Sequence, residues 1–129
     1  MFTLLPQLYY ICDPCYIIDN KYWNGFCDCL SDNRIEKINF MGVDIVVIGT
    51  MEGDGSYSSN KNIEFDVDAG IIAAIPFNAP FLSKNFAPHE YYLYYPDEDL
   101  VCDYQQGTLK FGDLEIYTMP VIEEVEEED

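Results

Sequence analysis

The chain has 129 residues and a mass of 14.9 kDa, a length suited to one hydrophobic core. Its 24 Asp and Glu stand against 6 Lys and Arg, giving a formal charge of −18 and a pI near 4.1. That balance argues against direct binding to DNA, RNA or anionic lipid, all of them polyanions whose partners supply Lys and Arg. With 49% hydrophobic and 16% aromatic residues, the composition is too apolar for a disordered acidic chain. The sequence folds, and it folds with a strongly anionic surface.

From the N-terminus, Met1 to Pro6 has no positive charge before Lys21 and a proline after four intervening residues, unlike a secretory signal. The longest apolar run, Ile71 to Phe77, is far shorter than the ~20 residues of a membrane helix. Together with five cysteines, these features point to a cytoplasmic chain with reduced thiols. Thr3 to Ile11 and Cys15 to Ile18 read as strand segments punctuated by Pro14. A helix follows, capped by Asp19 or Asn20, with Trp23, Phe26, Cys27 and Leu30 forming one apolar stripe at helical spacing. Gly25 within it costs roughly 1 kcal/mol relative to alanine, so packing must hold the helix.

Val43 to Thr50 has the apolar continuity of a buried strand, and Glu52-Gly-Asp-Gly-Ser56 reads as a hairpin turn after it. Ile63 to Asp68 alternates, with Ile63, Phe65 and Val67 on one face and Glu64, Asp66 and Asp68 on the other. Ile71 to Ile75 is a further apolar strand, and a short helix near Ala79 to Phe86 is opposed by its flanking prolines. Tyr91 to Tyr95, Leu100 to Tyr104, Thr108 to Phe111 and Leu114 to Thr118 complete the series. Strands at roughly ten-residue intervals predict an α+β, β-dominant fold: a small antiparallel sandwich or partly open barrel with one short N-terminal helix. Residues 1–120 form one globular domain. Residues 121–129 carry six acids and no base and read as a solvated mobile tail. Subtracting them from −18 leaves −12 on the folded body, so the acidity is not confined to the tail.

The cysteines are the sharpest chemical signal. Cys12-Asp-Pro-Cys15 is a C-x2-C, followed after eleven residues by Cys27-Asp-Cys29, a C-x-C. Four thiolates at Cys12, Cys15, Cys27 and Cys29 would make a tetrahedral structural zinc site with Zn–S distances of about 2.3 Å, and His89 is a substitute ligand for Cys27. The competing reading is buried free thiols, because Cys27 lies on the stripe of Trp23 and Phe26, where cysteine acts as a small core residue. Redox chemistry of the thioredoxin type lacks its βαβ context. Cys102 reads as a core residue.

Asp66 with Asp68, and Asp97-Glu98-Asp99, are paired carboxylates of the kind used in acid–base catalysis or calcium binding. The EF-hand spacing is missing, chance pairs are expected among 24 acids, and outward strand carboxylates are normally a solvated face, which is the preferred reading. No serine carries an elbow motif and Gly53-Asp-Gly55 lacks the ending of a phosphate loop. Eleven tyrosines are many for this length, and Tyr91, Tyr92, Tyr94, Tyr95 and Tyr104 fall beside Asp97, Glu98, Asp99 and Asp103. Exposed tyrosines framed by carboxylates suit an interface whose other side is rich in Arg and Lys. Tyr92, Tyr94, Asp97, Glu98, Asp99, Asp103, Asp66 and Asp68 are therefore the partner-binding candidates. A tyrosine-rich strand with one side in the core is the plainer alternative.

Two resemblances add to this. The runs Asp13-Pro-Cys-Tyr16, Gly53-Asp-Gly-Ser-Tyr57 and Val67-Asp-Ala-Gly70, the last continued by Ile71 to Pro76, resemble a group of small uncharacterised bacterial and phage proteins. That resemblance extends loosely to Gly112-Asp113 through Thr118 and implies a shared fold more than an activity. In size and acidity the whole chain is similar to phage-encoded anti-CRISPR and other anti-defence proteins. It implies a cytoplasmic inhibitor, not an enzyme, that binds a basic bacterial nuclease or other nucleic-acid-processing enzyme, a type II CRISPR nuclease being one example, and blocks nucleic-acid loading. The preference for Lys (5) over Arg (1) suits a low-GC source. The alternative is a small metal- or ligand-binding β domain or a carboxylate-based enzyme.

Overall fold

The computed structural model describes residues 1–119; the acidic segment 121–129 lies outside them. Its strands are β1 (Phe2–Leu4), β2 (Tyr9–Cys12), β3 (Ile35–Phe40), β4 (Val43–Gly49), β5 (Gly55–Ser58), β6 (Glu64–Val67), β7 (Ile71–Pro76), β8 (Tyr92–Tyr94), β9 (Leu100–Gln105), β10 (Thr108–Phe111) and β11 (Leu114–Tyr117). One α-helix, α1 (Asn20–Asp28), and two 3-10 turns, Pro14–Tyr16 and Pro88–Glu90, complete the elements. Every strand pairing is antiparallel. A five-stranded sheet has the order β3-β4-β7-β2-β8, a four-stranded sheet β1-β9-β10-β11, and β5-β6 form a separate hairpin. The fold is the expected β-dominant α+β sandwich, and its sheets do not close into a barrel.

The apolar runs of β4 and β7 are continuous because the five-stranded sheet is covered on both faces. Val46, Ile48, Ile72 and Ala74 point, with Tyr9 and Ile11, into a core shared with Leu4, Leu100, Cys102, Leu109, Phe111, Leu114 and Ile116 of the four-stranded sheet. Tyr57, Phe65 and Val67 of the hairpin close the side of that core. The alternate residues Ile45, Val47, Ala73 and Ile75 pack on the opposite face against Phe26, Ile17, Ile18 and Phe81. The order is therefore helix and loops, then the five-stranded sheet, then the four-stranded sheet with the hairpin.

Helix α1 begins where its cap predicts: Asp19 Oδ1 accepts a hydrogen bond from Lys21 N at 3.1 Å. Phe26 is its fully buried residue, stacked on Trp23 at 5.5 Å and edge-on to Phe40 at 5.9 Å. Four expectations are corrected. Thr3 to Ile11 is two strands in two sheets, broken at Leu5 to Leu8. Cys15 to Ile18 is not a strand, because Asp13 Oδ1 accepts from Cys15 N at 2.9 Å and turns the chain into the 3-10 segment. No helix forms over Ala79 to Phe86, because Asp19 N donates to Phe81 O at 3.0 Å and Ser83 N to Ile17 O at 2.7 Å, pairing the segment antiparallel with Ile18. Finally, the glycine-rich turn does not fold β5 back onto β4: β4 pairs with β3 and β7, and β5 with β6. Strand β3 carried no reading from sequence, since Ile35 faces one core while Ile38 and Phe40 face the other.

Candidate functional site

The candidate partner-binding residues lie on three parts of the molecule. Asp66, one of the two outward residues of β6, and Asp68, just past its end, line an open cleft of about 330 Å³ with Tyr16, Asp54 and Ser56. The cleft exists because loops distant in sequence are tied together. Asp13, buried, accepts hydrogen bonds through Oδ2 from Asp68 N at 2.7 Å and Ala69 N at 2.6 Å while its Oδ1 holds Cys15 N. That one carboxylate joins the 3-10 turn bearing Tyr16 to the bend bearing Asp68. On the other side, Thr50 Oγ1 donates to Gly53 O at 2.5 Å, Tyr57 Oη donates to Gly53 O at 2.8 Å, and Thr50 N donates to Gly70 O at 3.0 Å. The Glu52–Ser56 turn is thereby laid against the Asp68–Gly70 bend, bringing Asp54 to the cleft.

The cleft offers mainly acceptors. Asp54, Asp66 and Asp68 are exposed carboxylates, and Ser56 Oγ donates to Asp66 Oδ1 at 2.6 Å. Burial, then hydrogen bonding to Asp68 and the charge of that carboxylate, push the Tyr16 hydroxyl above its ordinary range, so it stays protonated and neutral beside the carboxylates. No described Lys or Arg lines this cleft. Such an array suits an ammonium, a guanidinium or a row of N–H donors.

The remaining candidates do not line the cleft. Tyr92 and Tyr94 turn their rings toward the core and are half-buried, Tyr92 lying 6.4 Å from Phe65 and 6.2 Å from Tyr94, while Leu93 between them is exposed. Tyr94 Oη donates to Asp113 Oδ1 at 2.8 Å and accepts from Asp113 N at 3.0 Å, joining β8 to the β10–β11 turn. The most exposed ring of the cluster is instead Tyr95, 71% accessible, next to the exposed turn of Asp97, Glu98 and Asp99. Asp103, on β9, is half-buried and pairs with the N-terminal ammonium at 3.8 Å.

The cysteines occupy different surroundings. Cys12 is buried under α1, Cys27 packs partly against the same core, Cys15 is half-buried beside Asp13, and Cys29 is exposed with its Sγ 3.5 Å from Gly25 O. All are free thiols. Burial drives Cys12 well above the ordinary thiol range, and burial with the Asp13 charge pushes Cys15 up to about 12. Among the described residues no three His, Cys, Asp or Glu side chains are grouped to hold a metal ion. His89 falls in the Pro88–Glu90 turn. Cys102 lies in the core, as expected.

Asp13, Tyr16 and Asp54 were not among the sequence candidates. The signals available were the Asp-Pro start of a capped turn for Asp13 and the Gly-Asp-Gly turn for Asp54. Neither indicates which distant segment the turn will meet. No helix among the described residues is long and apolar enough to cross a membrane. No family model, curated protein or solved structure matches the chain.

Proposed function

We propose that this chain is an interaction protein, a phage-type inhibitor of the bacterial cytoplasm that binds a basic nucleic-acid-processing defence enzyme and blocks its nucleic-acid loading. A type II CRISPR nuclease is one member of that partner class. The observation that carries this reading is the lack of internal compensation for the charge. Among the described residues only Asp13 is a buried carboxylate, and the only ion pairs are Met1 with Asp103 and Lys61 with Asp113, both at the surface. A folded body that keeps so many unpaired acids tolerates self-repulsion in isolation, which a cationic partner surface relieves. The partner would meet Asp66 and Asp68 in the cleft and the exposed turn of Asp97, Glu98 and Asp99.

The test is capture of partners from bacterial lysate, with identification by mass spectrometry, followed by titration of the purified pair at increasing salt. The expected result is one basic nucleic-acid enzyme whose affinity falls steeply with salt and whose nucleic acid competes for the same surface. Charge reversals at Asp66, Asp68 and Asp97 should weaken the complex stepwise. Loss of an enzymatic activity through Asp66→Asn or Asp68→Asn alone, with the fold intact, would instead establish a carboxylate-based enzyme.

A further inference from the structure

A second pocket, at the opposite chain ends of β4 and β7 from the cleft, has a different character. It encloses about 340 Å³ between the Leu5–Leu8 connection, the β3–β4 turn and the end of β7. Leu4, Leu5, Val43 and Pro76 supply its apolar groups, and Gln7, Tyr9, Asp44 and Asn78 supply polar ones, so that the lining is more polar than apolar. Tyr9 is fully buried with its hydroxyl committed: Oη donates to Leu5 O at 2.5 Å and lies 3.4 Å from Gln7 Nε2. Asp44 is exposed, and its Oδ1 accepts from Asn39 Nδ2 at 2.9 Å. Among the described residues no group donates to its Oδ2, and no Lys or Arg lines the pocket.

The borders of this pocket are unusually apolar for so acidic a surface. Leu5 is 71% exposed, Met41 next to Gly42 is 48% exposed, and Phe77 between Pro76 and Asn78 is 50% exposed. Met41 also has φ of 53° in the β3–β4 turn, followed by Gly42 at 81°. A turn of this kind favours Asn, Asp or Gly at both positions, and an L side chain in the left-handed region is strained. A large apolar residue there, on a solvent-facing tip, is poorly suited to the isolated molecule.

We infer that this pocket receives an arginine or lysine side chain of a partner protein, its aliphatic stem against Leu5 and Val43 and its cationic head on Asp44 Oδ2. A long side chain with a charged tip matches apolar groups and one open carboxylate, and the charge complements a body with no cation at this site. The apolar border would exclude water around the anchoring residue, the usual arrangement about an interface hot spot. The inference rests on the reading of a basic protein partner for the source of the side chain. The pocket's preference for a cation stands or falls without it.

The experiment is titration of the 15N-labelled full chain with N-acetyl-arginine methylamide and N-acetyl-lysine methylamide, with the citrulline analogue as the uncharged match. The expected result is saturable shifts at the amides of Leu5, Gln7, Gly42, Val43 and Asp44, at least about tenfold weaker binding of citrulline, and loss of the response in Asp44→Asn with the remaining spectrum unchanged. Should Asp44→Asn perturb the fold, Leu5→Ser, which leaves the carboxylate in place, should weaken binding by removing the stem contact. Shifts centred on Asp66 and Asp68, equal binding of citrulline, or no saturable response up to solubility would overturn the assignment. Because the probes are amino-acid derivatives, failure of the lysate capture leaves this result intact, and the converse also holds.

Discussion

Asp13 shows what one buried carboxylate does when its neighbours are backbone N–H groups rather than cations. Its two oxygens accept three hydrogen bonds, from Cys15, Asp68 and Ala69. Removing the acceptor leaves donors that are only partly reachable by water, at about 1–3 kcal/mol for each one left unpaired. Asp13→Ala is expected to lower the unfolding free energy by roughly 2–4 kcal/mol, with Asp13→Asn intermediate, as read by urea titration. An unchanged midpoint would show that the clamp contributes nothing. The thiols give a second residue-level outcome. Burial pushes Cys12 well above the usual range, and Cys15 and Cys102 to about 12, Cys15 also feeling the Asp13 charge. Folded values raised in this way add stability that is complete below the unfolded thiol value of about 8.5 and is lost as pH rises toward about 12. The urea midpoint should therefore fall between pH 8.5 and 11. At pH 8 a thiol reagent should label exposed Cys29 rapidly in the native chain, and buried Cys12 and Cys102 only after denaturation. Stoichiometric zinc that disappears in both Cys12→Ser and Cys29→Ser would require Cys12 to leave the core and would establish the metal reading.

At the scale of elements, the sandwich is fastened at points where a loop of one layer meets a strand of another. The Gly112-Asp113 turn joins β10 to β11 with φ of 63° at Gly112. A methyl group there would overlap the Tyr94 hydroxyl of β8. Gly112→Ala is thus expected to cost roughly 2 kcal/mol or more through strain and displacement of Tyr94. The hydrogen bond from Tyr94, then that from Lys61, hold the Asp113 carboxyl below its ordinary value. A depressed carboxylate contributes stability that is present above about pH 3.9 and lost as pH falls through the lower folded value. Tyr94→Phe should consequently differ from the wild type by at most about 1 kcal/mol at neutral pH, the carboxylate being exposed, with the gap closing in acid. A gap that persists unchanged at pH 2.5 would assign the effect to packing.

For the whole molecule, charge sets two opposite responses to salt. Self-repulsion among unpaired carboxylates destabilises the isolated fold and is screened within about 10 Å at 0.1 M salt. The urea midpoint of the free protein should rise between 10 and 300 mM NaCl, while affinity for a basic partner should fall over the same interval. A flat stability response would mean that the acids are spaced widely enough not to interact. The sequence by itself determined what depends on neighbours in the chain. The Asp19 cap and apolar stripe set α1, two-residue alternation set β6 and turned Asp66 and Asp68 outward, and turn residues separated β9, β10 and β11. It also determined the anionic surface, since so few cations leave no other arrangement. Only the tertiary structure decided which strands pair. Thr3 to Ile11 reads as one apolar stretch, yet β1 joins the four-stranded sheet and β2 the five-stranded one. Strand β3 escaped recognition because its apolar residues serve two cores. The tyrosines looked exposed as a group, but Tyr92 and Tyr94 turned inward because β8 lies at an edge where the hairpin and the β10–β11 turn cover its inner face. The cleft gained Asp54 and Tyr16 in the same way. Their positions follow from hydrogen bonds made by Asp13 and Thr50 to segments 20 or more residues away, and local pattern contains no term for contacts at that range.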